Sequence, residues 1–111
     1  MKGIIIITAG VSTLLFSHIV LARAGWTEFV AVAELVPTSR HYYEVRLPVK
    51  ENPSGCESET WFYQNYDSVG SDKMFNTLLE GLSLEIQLRV YVTGICNTNG
   101  YSEFSSVSIV P

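Results

Sequence analysis

The aromatic side chains Tyr42, Tyr43, Trp61, Phe62, Tyr63, Tyr66, Tyr91 and Tyr101 fall on or beside stretches that alternate apolar and polar residues. Alternation sends about half of such a set into a core and leaves the rest facing outward, here among Glu44, Gln64, Asn65 and Arg89. Outward aromatics with amide, carboxylate or guanidinium neighbours suit stacking on a sugar ring or the centre of a subunit interface. Plain cross-strand pairing on a sheet surface is the reading that requires no ligand. The candidate ligand or interface residues are Tyr42, Trp61, Tyr63, Arg89 and Tyr91.

Groups for catalysis are few, and we expect no enzyme. Beyond residue 24 the only histidine is His41, beside a turn. A Ser-His-Asp relay needs a base held between nucleophile and orienter, and no nucleophile-elbow motif accompanies the serines. Glu57 and Glu59 belong to a loop and read as a solvated acidic pair rather than as the two carboxylates of a glycosidase cleft. One histidine and no EF-hand spacing argue against a resident metal, and no cofactor is expected.

The cysteines do carry information. Cys56 and Cys96 are the only two. An even pair in an exported chain reads as a disulfide, closing a loop of about 41 residues for about 4 kcal/mol on the chain-entropy argument. Two free thiols are the alternative; a redox pair would need Cys-x-x-Cys spacing.

Export is expected from the N-terminus. Lys2 gives a positive start, residues 4–21 are mostly apolar, and Ala22-Arg23-Ala24 is a small-x-small cleavage site. We therefore read residues 1–24 as a signal peptide and the product as periplasmic or secreted. An uncleaved anchor is the competing reading, but Gly10, Ser12, Thr13, Ser17 and His18 interrupt the apolar run. Without Lys2 and Arg23, five Lys/Arg remain against eleven Asp/Glu, a formal charge of −6. That balance disfavours nucleic acid and anionic membrane surfaces as partners.

Residues 25–111 are one domain's worth of chain. Strands are predicted over 27–36, 42–47, 60–66, 84–92 and 103–110. Residues 27–36 carry apolar side chains on both parities, as a strand buried on both faces would. Residues 84–92 alternate most strictly, with Leu84, Ile86, Leu88, Val90 and Val92 inward. Cys96 shares that inward parity unless a bulge at Gly94 shifts it. Pro48 to Cys56 reads as a loop and Asn97-Thr98-Asn99-Gly100 as a hairpin turn. One helix is predicted, with Ser71 as N-cap and Met74, Phe75, Leu78, Leu79 and Leu82 on its apolar face. Gly81 weakens that helix, and either lets it approach the sheet closely or marks an early stop.

The order β-β-β-α-β-β, mostly β with one helix and one disulfide, is that of a five-stranded OB-like barrel whose helix plugs one end. An open antiparallel sheet with a helix on one face is the runner-up. The run 71–96, the Asn52-Pro53-Ser54-Gly55-Cys56 loop, the Leu78-Leu79 pair and Val90 to Cys96 resemble the B subunits of subtilase-type and typhoid-type toxins and a group of small exported bacterial proteins. The resemblance implies an OB-like fold and, for the toxin members, a five-membered ring that binds sialylated glycans. No binding residue carries across, because the segment after Trp26 has no match to the one those subunits use. The function expected is a non-catalytic exported binding module, recognising a glycan or partner protein and forming a homo-oligomer. A small exported enzyme or enzyme accessory is the alternative.

Overall fold

The structure is a computed structural model that describes residues 23–111. The apolar run read as the body of a signal peptide lies outside the described residues. Six strands and one helix follow in the order β1 Gly25–Trp26, β2 Glu34–Pro37, β3 Tyr42–Arg46, β4 Trp61–Asn65, α1 Ser71–Leu84, β5 Leu88–Cys96 and β6 Ser102–Ile109. They form one sheet in the order β1-β5-β6-β4-β3-β2. All pairings are antiparallel except β4 with β6. The described residues are thus mostly β with one helix, but the sheet has six strands and is not a closed five-stranded barrel.

The difference from the predicted strand order lies in residues 27–36. They do not make one strand. β1 pairs with β5, Val30 bridges Leu88, and the chain then changes partner: the Ala33 N–H donates to Arg46 O at 3.0 Å and β2 pairs with β3. A segment that hands over from one neighbour to another cannot ladder along its whole length. Val30 still sits beside β5 and Ala33 already beside β3, so three residues, at most about 11 Å, join edges that a flat sheet of six strands would hold about 24 Å apart. The sheet must therefore curl until its edges approach.

The inner face is built by the expected alternation. Tyr43, Val45 and Leu47 from β3 and its end, Phe62 from β4, Leu88, Val90 and Val92 from β5 and Phe104 from β6 are all buried, with Val30 and Val32 from the crossing segment. Val107 and Ile109 pack against this core as predicted. Gln64 is the polar member of the inner face. It accepts from the Tyr43 hydroxyl at 2.8 Å and donates to Phe104 O at 3.0 Å, so its burial is compensated.

Helix α1 covers one end of the core with Met74, Phe75, Leu78 and Leu82. It starts one residue earlier than predicted: Gly70, at φ 80°, is the N-cap and Ser71 the first helical residue, its N–H bonded to Ser68 O. Leu79 is exposed rather than core, because it stands about 100° around the helix from Leu78. Leu84 also differs. The helix continues through it and stops at Glu85, which takes φ 57° and donates its N–H to Gly81 O. Leu84 is left exposed and β5 begins only at Leu88.

Cys56 and Cys96 are bonded, with Cα atoms 5.7 Å apart. The parity argument for Cys96 fails at Gly94, whose φ is 94°: the β5–β6 register shifts between Val92 and Cys96. Cys96 is consequently exposed and Cys56 supplies the buried half of the bridge. The loop before Cys56 is held from within. Asn52 Oδ1 accepts from the Ser54 N–H, Asn52 Nδ2 donates to Ser102 Oγ, and Ser54 Oγ meets Ser102 Oγ at 2.7 Å.

Candidate functional site

On the outer face of the sheet, β3 presents Tyr42, Glu44 and Arg46, and β4 presents Trp61, Tyr63 and Asn65. The register sets Arg46 opposite Trp61, Glu44 opposite Tyr63 and Tyr42 opposite Asn65. Tyr42 and Tyr63 are therefore diagonal neighbours, and their rings meet edge to face at 6.0 Å. The parallel β4–β6 pairing places Glu103 beside Tyr63. It also brings Tyr101, just before β6, onto Trp61, and the two rings stack at 5.5 Å with 14° between their planes.

Cations flank this cluster. The Arg46 guanidinium lies 5.9 Å from the centre of the Trp61 ring and pairs with Glu34 at 3.5 Å. The Arg40 guanidinium lies 5.2 Å from the centre of the Tyr42 ring. Tyr63 forms the floor, 6% exposed. Burial pushes its phenol pKa up, and the charge of Glu103 adds to the rise. Glu103 in turn accepts from Thr93 Oγ1 at 2.9 Å. The result is a half-exposed Tyr42, Trp61 and Tyr101 held by a buried tyrosine and edged by both signs of charge.

Arg89 and Tyr91 belong to a different cluster. Tyr91 pairs with Trp26 in the β1–β5 ladder and their rings meet edge to face at 5.4 Å. The Arg89 guanidinium stands 4.4 Å from the centre of the Trp26 ring and 4.8 Å from that of Phe29. Both side chains clamp the N-terminal segment onto β5. Of the five candidate residues, Tyr42, Trp61 and Tyr63 are brought together, and Arg89 and Tyr91 are engaged elsewhere within the chain.

Sequence reasoning did not single out Trp26, Phe29, Arg40 and Arg46. Arg46 carried a signal, since it alternates outward with Tyr42 and Glu44. Trp26 and Phe29 gave none, because their place depends on the change of partner within residues 27–33. Tyr66 is exposed, but its hydroxyl is tied down, accepting from the Thr38 N–H at 2.8 Å and donating to Thr38 O at 2.7 Å. His41 is exposed at the bend before β3.

A hollow lies off the aromatic cluster. It is an open groove of about 500 Å³ lined by Arg23, Trp26, Glu28, Glu51, Pro53 and Glu59 among others. Glu28 Oε1 there accepts the N–H groups of Lys50 and Glu51 and so shapes the groove wall. Among the described residues no group of three or more His, Cys, Asp or Glu is placed to hold a metal ion, and no helix is long and apolar enough to cross a membrane. Neither family models, curated proteins nor solved structures give a match to this chain.

Proposed function

We propose that residues 25–111 form an exported, non-catalytic binding module of OB-like build that takes a glycan on the outer face of its sheet. The observation that carries the binding reading is the Trp61–Tyr101 stack with Arg46 beside it. Rings fixed in position before a ligand arrives lose little freedom on binding, and their faces suit the C–H faces of a pyranose. Arg40, Arg46 and Glu34 stand where they can hydrogen-bond to hydroxyls around such a ring.

Three features support the OB-like reading. The segment from β1 to β2 is bonded to β5 at one end and to β3 at the other, β4 and β6 run parallel, and α1 lies between β4 and β5 in sequence. Export is supported by the N-terminal sequence pattern and by the disulfide, which persists in oxidising compartments. The toxin-subunit resemblance supports a glycan over other ligands.

The test is glycan binding by the purified domain, on an array and then by calorimetry with any hit. Trp61→Ala and Tyr101→Ala should each weaken a hit at least tenfold while circular dichroism stays unchanged. A hit indifferent to both substitutions would mean a ligand site elsewhere, and no hit at all would end the glycan reading.

A further inference from the structure

Strand β6 is paired along its length on one side only. Toward β5 the ladder runs from Ser102 opposite Cys96 to Ile109 opposite Leu88. Toward β4 it consists of Ser102 opposite Phe62 and Glu103 opposite Tyr63. Gln64 Nε2 then takes Phe104 O, and the chain turns away from Asn65 into α1. Among the described residues no strand pairs with that side of β6 over residues 105–109. Backbone N–H and C=O groups in a strand alternate between its two neighbours, so this stretch presents a row of unpaired donors and acceptors.

Of the sheet's two outermost strands, β2 is guarded. It carries Glu34, ion-paired with Arg46, and ends on Pro37, which has no N–H to offer. Helix α1 packs against β6, but between residues 104 and 110 the edge carries neither a charged side chain nor a proline. Residues 104–111 read Phe-Ser-Ser-Val-Ser-Ile-Val-Pro, without a charged side chain. Beside it lies a hollow of about 250 Å³ lined by Gln64, Ser68, Val69, Met74, Phe104 and Ser105 among others. Val69, at its rim, is 96% exposed, and Val110 at the strand's end is 44% exposed.

We propose that this edge pairs, antiparallel, with β6 of a second copy of the chain about a two-fold axis near Val107. Charge selects the occupant. In a two-fold pairing every residue of the stretch faces a residue of the same stretch, so any charge within it meets its like at short range. Five basic against eleven acidic residues within 25–111 make the domain repel its copies, and residues 104–110 are a stretch where that repulsion has no side-chain source. An axis near Val107 sets Ile109 of one copy opposite Ser105 of the other. It also carries Val110 of each copy toward Val69 and the hollow of its mate, which covers two exposed apolar side chains at each end.

The pairing goes beyond the glycan reading, which a monomer satisfies equally well. It is tested by sedimentation of residues 25–111 from micromolar to millimolar concentration, with Ser105→Lys and Asn99→Lys compared. Ser105 and Asn99 are both exposed, and Asn99 lies on the turn away from the edge. We expect a monomer–dimer equilibrium, a dissociation constant raised at least tenfold by Ser105→Lys, and no comparable change with Asn99→Lys. Amide exchange at residues 105–109 should slow as concentration rises. A monomer at every concentration, a dimer that survives Ser105→Lys, or equal loss in both variants would each overturn the pairing.

Discussion

Gly81 and Leu88 touch across the break between helix and strand: a β-carbon on Gly81 would stand 2.7 Å from Leu88 Cδ2. A glycine inside a helix costs about 1 kcal/mol relative to alanine. Here that cost is offset by the closeness it permits, since Gly81 is buried and its carbonyl accepts the N–H groups of both Glu85 and Ile86 as the chain turns. Leu88 is wholly buried at the first residue of β5.

Gly81→Ala should therefore destabilise the domain by about 1–3 kcal/mol through overpacking, against the direction that helix propensity alone would give. Urea titration of the single variant and of Gly81→Ala with Leu88→Val checks it, the second change restoring part of the loss. A neutral or stabilised Gly81→Ala protein would show that the contact relaxes freely.

Leu78 and Leu79 should respond in opposite ways. Leu78 is fully buried and Leu79 is 44% exposed. Leu78→Ala is expected to cost about 2–5 kcal/mol and Leu79→Ala under about 0.5 kcal/mol. Equal losses in denaturant titrations would show that the helix turns a different face toward the core.

Opening the Cys56–Cys96 bridge should lower stability by about 4 kcal/mol if the chain-entropy argument holds for a loop of this size. Intact mass after alkylation, with and without prior reduction, establishes the bond in the purified protein. Thermal unfolding of the reduced form then reads its contribution. Two alkylated thiols without reduction would contradict the structure.

Alkaline pH should unfold the domain through its buried phenols. Burial pushes the Tyr43 pKa far up, with the neighbouring Ser71 hydroxyl working the other way, and burial then Glu103 raise that of Tyr63. Both groups stay protonated in the folded chain at a pH where the unfolded chain, with tyrosine near about 10, has lost the proton. The folded state then binds more protons, so stability falls as pH rises. Their contribution is intact below about pH 10 and is lost above it, toward the raised folded values. Absorbance of tyrosinate followed beside circular dichroism should show Tyr43 ionising together with unfolding. Its ionisation in a fully folded protein would refute the burial.

The strands that alternate strictly are legible in the sequence, because their neighbours lie on both sides and one face is core throughout. Tyr43, Val45, Phe62, Val90 and Val92 are such residues. The helix is legible in position but not in rotation: apolar residues at both Leu78 and Leu79 leave the buried stripe ambiguous by one position, and the core decides. Residues 27–36 mislead because a pattern apolar on both parities describes equally a doubly buried strand and a segment that changes partner. In the aromatic cluster, Tyr42 and Trp61 are legible from alternation on single strands. Their assembly with Tyr101 is not, because it depends on which strands become neighbours, and the parallel β4–β6 pairing leaves no local mark.

The span between β1 and β2 also sets a timetable. Trp26 and Val30 complete their contacts only on β5, which is made after β2, β3, β4 and α1. Contacts between chain ends close slowly, because the intervening loop must be ordered before they reward it. Until residues 88–92 exist, the emerging N-terminal stretch has its valines and tryptophan in water and half of its pairing unmet. The β3–β4 hairpin can form early, but the curl that brings the sheet's edges together is a late event. A chain truncated before β5 is accordingly expected to stay loose and to be taken by proteases.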